Sequence, residues 1–187
     1  MIDSHGHSAP YRGLFPCCPF EIYIMFKSFI AAVAALAFVV PSASASSWKD
    51  VEKLSELVKG TGTTITTKEC KDGRMGSYQY IKDTIDELVI CTDTVDMKDS
   101  NDVWETLVHE SVHVMQACNN GEHIVKLKYH PRILREIKAY APHYYSTLEQ
   151  YSAEHKVAET EAFWMELQSA DVAIKWMQDF CYSEATE

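Results

Sequence analysis

Residues 102–118 read Asp102-Val-Trp-Glu105-Thr-Leu-Val-His109-Glu110-Ser-Val-His113-Val-Met-Gln-Ala-Cys118, and the rest of the chain is best understood outward from them. Val103, Trp104, Leu107, Val108, Val112, Val114 and Met115 fall on most sides of a 3.6-residue spiral, the mark of a helix buried nearly all round. Asp102 and Glu105 have the spacing of a capping box at its start, and Asn119-Asn120-Gly121 stops it. Two histidines four residues apart lie on one face of such a helix, one turn apart.

On the amino-terminal side, Ser46 and Ser47 can cap a helix that carries Val51, Leu54, Leu57 and Val58 and ends at Gly60. Residues 61–69 are β-branched and predict a strand running to Cys70, followed by an Asp72-Gly73 turn. Two more strands are expected over Ser77–Lys82 and Glu87–Cys91 across a polar turn at residues 83–86, so that the three form an antiparallel meander. On the carboxyl side, Pro131 opens a short helix to Ala141, Pro142 interrupts, and helical periodicity runs from about Ser152 to Tyr182. The fold class is therefore α+β: a small antiparallel sheet packed on helices, a central helix, and a helical carboxyl-terminal subdomain. Residues 46–187 make one domain.

The first 45 residues differ in kind. Lys27, an apolar run from Phe29 to Val40, and Ala43-Ser-Ala45 follow the order of a secretory signal peptide over residues 25–45, with cleavage after Ala45. Lys27 bounds the apolar run short of the roughly 20 residues a membrane span needs, so no anchor is expected after processing. Residues 1–24 are expected to be an extension upstream of a true start at Met25. The implied destination is the periplasm or the exterior. Arg12 and Lys27 balance Asp3 and Glu21, so the formal charge of −10 is the same for residues 46–187. That charge repels nucleic acid and anionic membranes at long range, and favours basic or neutral partners and a monomer. Cys70, Cys91, Cys118 and Cys181 remain, an even number in an exported chain, and predict two disulfides. Of the three pairings open to four cysteines, the chain organisation favours Cys70 with Cys91 and Cys118 with Cys181.

His109 and His113 can offer two imidazole nitrogens to one zinc ion, and burying them with Glu110 on an apolar helix is costly without such a partner. Glu110, beside the ion but not between its ligands, can take a proton from a water that the metal acidifies. That chemistry suits hydrolysis of an amide carbonyl. His123, His130, His143 and His155 stand singly among polar residues and are expected at the surface.

Thr106-Leu-Val-His109-Glu110-Ser-Val-His113, with a helix and a small sheet before it and a Glu-rich aromatic helix after it, resembles the zincin metallopeptidases over roughly residues 47–181. Gln116 and Asn119 stand where the metzincin pattern has Gly and His, so the closer resemblance is to a small gluzincin. The usual gluzincin ExxxD signature is absent, since Met165 stands four residues after Glu161. The resemblance implies a secreted peptidase with a peptide or protein substrate bound as an extended strand, along an edge strand expected at Val89–Cys91. A catalytically silent binding or inhibitor module on the same fold, and a cell-wall amide hydrolase, are the alternatives.

A catalytic zinc site needs a third protein ligand. Glu161 is the expected one: Val157, Ala158, Trp164 and Met165, its neighbours three and four residues away, are apolar, and Glu159-Thr-Glu161-Ala162 resembles the ligand stretch of small families with this motif. Glu154, Glu159 and Glu166 are the other candidates. A Tyr or His from residues 140–155, Tyr151 for choice, is expected to steady the developing oxyanion.

Overall fold

The computed structural model describes residues 46–183; the expected signal peptide over residues 25–45, its expected cleavage after Ala45 and the expected extension over residues 1–24 lie outside the described residues. Six α-helices and a three-stranded sheet follow in the order α1 (Trp48–Gly60), β1 (Thr64–Lys68), β2 (Gly76–Ile81), β3 (Ile85–Cys91), α2 (Ser100–Cys118), α3 (His130–Tyr140), α4 (Pro142–Leu148), α5 (Ala153–Glu166) and α6 (Ala170–Cys181). A 3-10 turn at Leu127–Tyr129 leads into α3. None of the described helices is long and apolar enough to cross a membrane.

α2 is the centre of the molecule. It packs against α1, α5 and α6 and against β2 and β3, with Leu107, Val108, Val112 and Met115 wholly buried. Its cap is Asp99, whose side chain accepts from the Asn101 main-chain N–H, so the helix starts three residues before the Asp102–Glu105 pair that the spacing suggested. Asp102 instead accepts from the main-chain N–H of Asp96 and closes the preceding turn. α1 carries the capping box of Ser47 and Asp50 and buries Val51, Leu54 and Val58. The long carboxyl-terminal helical stretch is broken in two, with Ser169 preceding α6.

The sheet is not a meander. Its order is β1-β3-β2, with β2 antiparallel to β3 and β1 parallel to it. β3 owns the most apolar run, and Leu88, Val89, Ile90 and Cys91 are all buried, so it takes the middle and leaves both polar strands at the edges. β2 and β3 form the hairpin, turning through Asp83 at φ 63°. β1 then pairs with the far side of β3. This parallel pairing brings the ends of β1 and β3 to the same end of the sheet, with Lys68 opposite Cys91, which is why Cys70 reaches Cys91. Both expected disulfides are present, Cys70–Cys91 with Cα atoms 5.4 Å apart and Cys118–Cys181 with Cα atoms 5.2 Å apart. The second ties the end of α2 to the end of α6.

Candidate metal centre

The face of α2 that bears His109 and His113 is turned to α5, where Glu159, Phe163 and Glu166 follow one another at i, i+4 and i+7 and so share a face. The Phe163 ring meets His109 edge-on with centroids 4.7 Å apart. The two carboxylates hold the same imidazole from opposite sides. His109 Nδ1 lies 2.7 Å from Glu166 Oε1, and its Nε2 lies 3.2 Å from Glu159 Oε2. His113 is arranged alike, with Nδ1 2.9 Å from Gln116 Oε1 and Nε2 3.6 Å from the second oxygen of Glu159. Each ring thus has its outer nitrogen anchored to an acceptor and its inner nitrogen aimed at one carboxylate.

Two donors about 2.0–2.2 Å from a common zinc ion, at a tetrahedral angle, stand about 3.4 Å apart. The separations of 3.2 and 3.6 Å between the two Nε2 atoms and the Glu159 oxygens bracket that value, and suitable atoms of all three residues lie within 4.8 Å of one another. Anchoring Nδ1 to a carboxylate or amide oxygen is also what orients a ligating imidazole and raises its basicity. His109, His113 and Glu159 therefore fit a zinc ion, with one position left open. In the metal-free protein, burial would lower the pKa of His109, but hydrogen bonds to Glu159 and Glu166 outweigh it and push the value up to about 10. The centre is thus electrostatically prepared for positive charge. Burial lowers the pKa of His113, and the charge on His109 lowers it further.

Glu110 lies beside this group, only 7% exposed, and burial is the largest influence raising its pKa to about 7, against the lowering effect of His109. It reaches a cleft of about 380 Å³ between the start of β2 and helices α2, α4 and α5. Gly76 forms the wall opposite, packed so closely that a Cβ there would lie 2.9 Å from Glu110 Oε1 and 2.7 Å from Thr106 Cγ2. Tyr151 lines the same cleft, and its phenol is pushed up to about 12 by burial and by the Glu159 carboxylate beside it. Tyr144 stacks on Phe163 at 4.9 Å, and its hydroxyl sits beside Glu166.

Glu161, expected from the sequence as third ligand, is elsewhere. It is fully buried, and its two oxygens accept from Gln116 Nε2 (2.8 Å), the main-chain N–H groups of Ile124 (3.0 Å) and Val125 (2.9 Å), and His130 Nε2 (3.1 Å). Two residues turn a helix by roughly 200°, so Glu161 points away from the two histidines while Glu159 faces them. The apolar neighbours of Glu161 marked the packed side of α5, whereas a ligand of a catalytic metal must face a cavity. Glu154 is exposed in the first turn of α5. His130, expected at the surface, is buried against Glu161. Val89–Cys91 belongs to the central strand and offers no free edge; the edge strand that borders the cleft is β2. Glu166 and Gln116 were missed as orienting groups, although two glutamates flanking an aromatic at i, i+4 and i+7 carry a readable pattern.

Among the described residues one other group of possible ligands, Cys70, Cys91 and Asp93, has both sulfurs in a disulfide, and Asp93 accepts from the main-chain N–H groups of Cys70 and Lys71. No curated protein and no solved structure matches the chain. A family model does match over residues 45–182, most of the chain's length, and the protein therefore belongs to the family described as Domain of unknown function (DUF8637).

Proposed function

We propose that this protein is an exported zinc-dependent metallopeptidase of zincin type, with zinc held by His109, His113 and Glu159. The observation that carries the reading is the convergence of both histidine Nε2 atoms on the two oxygens of Glu159, at separations suited to one ion, while Glu166 and Gln116 hold the opposite nitrogens. Zinc, when bound there, supplies Lewis acidity that polarises a carbonyl and acidifies water near neutral pH.

The chain's own residues then divide the work. Glu110 accepts a proton from the attacking water and returns it to the leaving amine. The Tyr151 hydroxyl, at the cleft wall beside Glu159, donates a hydrogen bond where negative charge gathers on the carbonyl oxygen. The β2 edge, entering the cleft at Gly76, lays the substrate backbone across it in extended form. Gly76 keeps this wall within reach of Glu110. Export accords with the two disulfides, which persist in oxidising compartments.

Native mass spectrometry of residues 46–187, with digestion of a random peptide mixture, tests the reading. One zinc per chain and metal-dependent peptide cleavage are expected. Glu110→Gln keeps the zinc and lowers hydrolysis at least about a hundredfold, in the usual range for a general base. Absence of stoichiometric zinc, or full activity in Glu110→Gln, overturns it.

A further inference from the structure

Glu161 is the buried carboxylate that the chemistry above leaves unused, yet it accepts from four donors. Two are the main-chain N–H groups of Ile124 and Val125, in the connection after α2, and a third is His130 at the start of α3. The fourth is the side-chain amide of Gln116, which itself touches His113.

The orientation of that amide follows from its surroundings. Gln116 Nε2 lies 2.8 Å from Glu161 Oε2 and 3.3 Å from the carbonyl oxygen of Ala158, both acceptors. The amide nitrogen must face them, because an oxygen placed there would meet two oxygens and make no hydrogen bond. Oε1 is therefore the atom 2.9 Å from His113 Nδ1, and Nδ1 must carry the proton. A neutral imidazole protonated at Nδ1 keeps its lone pair on Nε2, the atom aimed at Glu159.

We infer that Glu161 is a positioning residue that acts through Gln116 to set the tautomer of His113, presenting Nε2 to a metal ion. The inference builds on the zinc reading, but the tautomer exists without zinc and can be measured separately. With the relay cut, nothing accepts from Nδ1–H, and the proton moves to Nε2, where Glu159 Oε1 is the remaining acceptor. A metal must then displace it.

Long-range proton–nitrogen correlation spectra of the zinc-free, histidine-labelled full chain decide the point. In the wild type, neutral His113 is expected to carry its proton on Nδ1. Glu161→Gln leaves one oxygen where the carboxylate has two, and both positions face main-chain N–H groups, so the hold on the Gln116 amide loosens and the Nε2–H form of His113 gains population. Gln116→Met breaks the relay in its middle and leaves Glu161 its three other donors, which keeps the test open if Glu161→Gln fails to fold. Both variants are expected to bind zinc about 10–100-fold more weakly in a chelator competition, the usual effect of removing a group that orients a ligand. Glu161→Asp, which restores the carboxylate, is expected to return the Nδ1–H form. A merely structural Glu161 would lower the melting temperature and leave the tautomer alone. Nδ1–H retained in folded Gln116→Met, or Nε2–H already present in the wild type, overturns the inference. A tautomer change in a protein that binds no zinc upholds the relay and sinks the metallopeptidase reading instead.

Discussion

Replacing Glu159 with alanine separates the proposed metal ligand from a structural carboxylate two residues away. A four-ligand zinc site in a small peptide is worth about 10–16 kcal/mol, or about 2.5–4 kcal/mol per ligand. Losing the Glu159 oxygens should therefore weaken zinc binding by about 10²–10³-fold, at 1.4 kcal/mol per decade. The metal-free fold should lose less than in Glu161→Ala, because Glu166 still holds His109 at Nδ1 and Glu159 accepts only from side chains. Glu161→Ala has the opposite signature. It strands two main-chain N–H groups, an amide and an imidazole, and at about 1–3 kcal/mol for each unsatisfied buried group the metal-free domain loses several kcal/mol. Chelator competition gives zinc affinity, and thermal unfolding in chelator gives metal-free stability. Unchanged zinc affinity in Glu159→Ala, or a Glu161→Ala protein of full metal-free stability that has lost zinc altogether, would refute the assignment.

Cys118→Ser with Cys181→Ser opens a loop with a sequence separation of 63 and should cost about 4 kcal/mol on the loop-entropy relation, read as a lower urea midpoint. Gly76→Ala pushes a methyl group against Thr106, Glu110 and the Val89 carbonyl, all within 2.7–2.9 Å of the added Cβ. It should cost about 1–3 kcal/mol in thermal stability and depress peptide turnover; wild-type behaviour in both would mean that β2 does not press on the cleft. Glu105 lines the cleft one turn before His109, with its pKa raised by burial first and then by Glu166, and its carboxylate makes no ion pair or hydrogen bond among the described residues. Profiling of a peptide mixture should show basic side chains enriched beside the cut bond. That enrichment should reverse to acidic ones in Glu105→Lys, and an unchanged profile counts against the cleft's electrostatic selection.

The local signals were legible wherever one element carried them alone. Helical spacing and the Asn119-Asn120-Gly121 stop found α2, and the positions of the four cysteines along the chain found both disulfides. Pairing across the sheet was not legible, because three short strands in a row are equally compatible with a meander or with insertion of the third between the first two. Burial decided it, since the apolar run of Leu88, Val89 and Ile90 needs cover on both faces. On α5 the residues of the centre were in view, but not the rotation of the helix about its own axis. Glu159 and Glu161 lie on nearly opposite sides of it, and only the packing of α5 on α2 says which side meets the histidines. Apolar surroundings identified the buried glutamate, and the structure places it against the connection after α2 and not against the two histidines.

The Cys118–Cys181 bond begins five residues after His113 and ends in the last turn of α6, so the chain between those points, Glu159 and Glu166 included, forms one covalent ring. On the function proposed above the protein would meet other peptidases and copies of itself, and the exposed stretches near Glu122, Lys126–Tyr129 and Glu149–Tyr151 are the places where such enzymes would nick it. A single cut in any of them opens the ring without releasing a fragment. The two histidines and the glutamate that faces them stay joined through sulfur, and a molecule in two pieces after reduction still carries the whole centre before it.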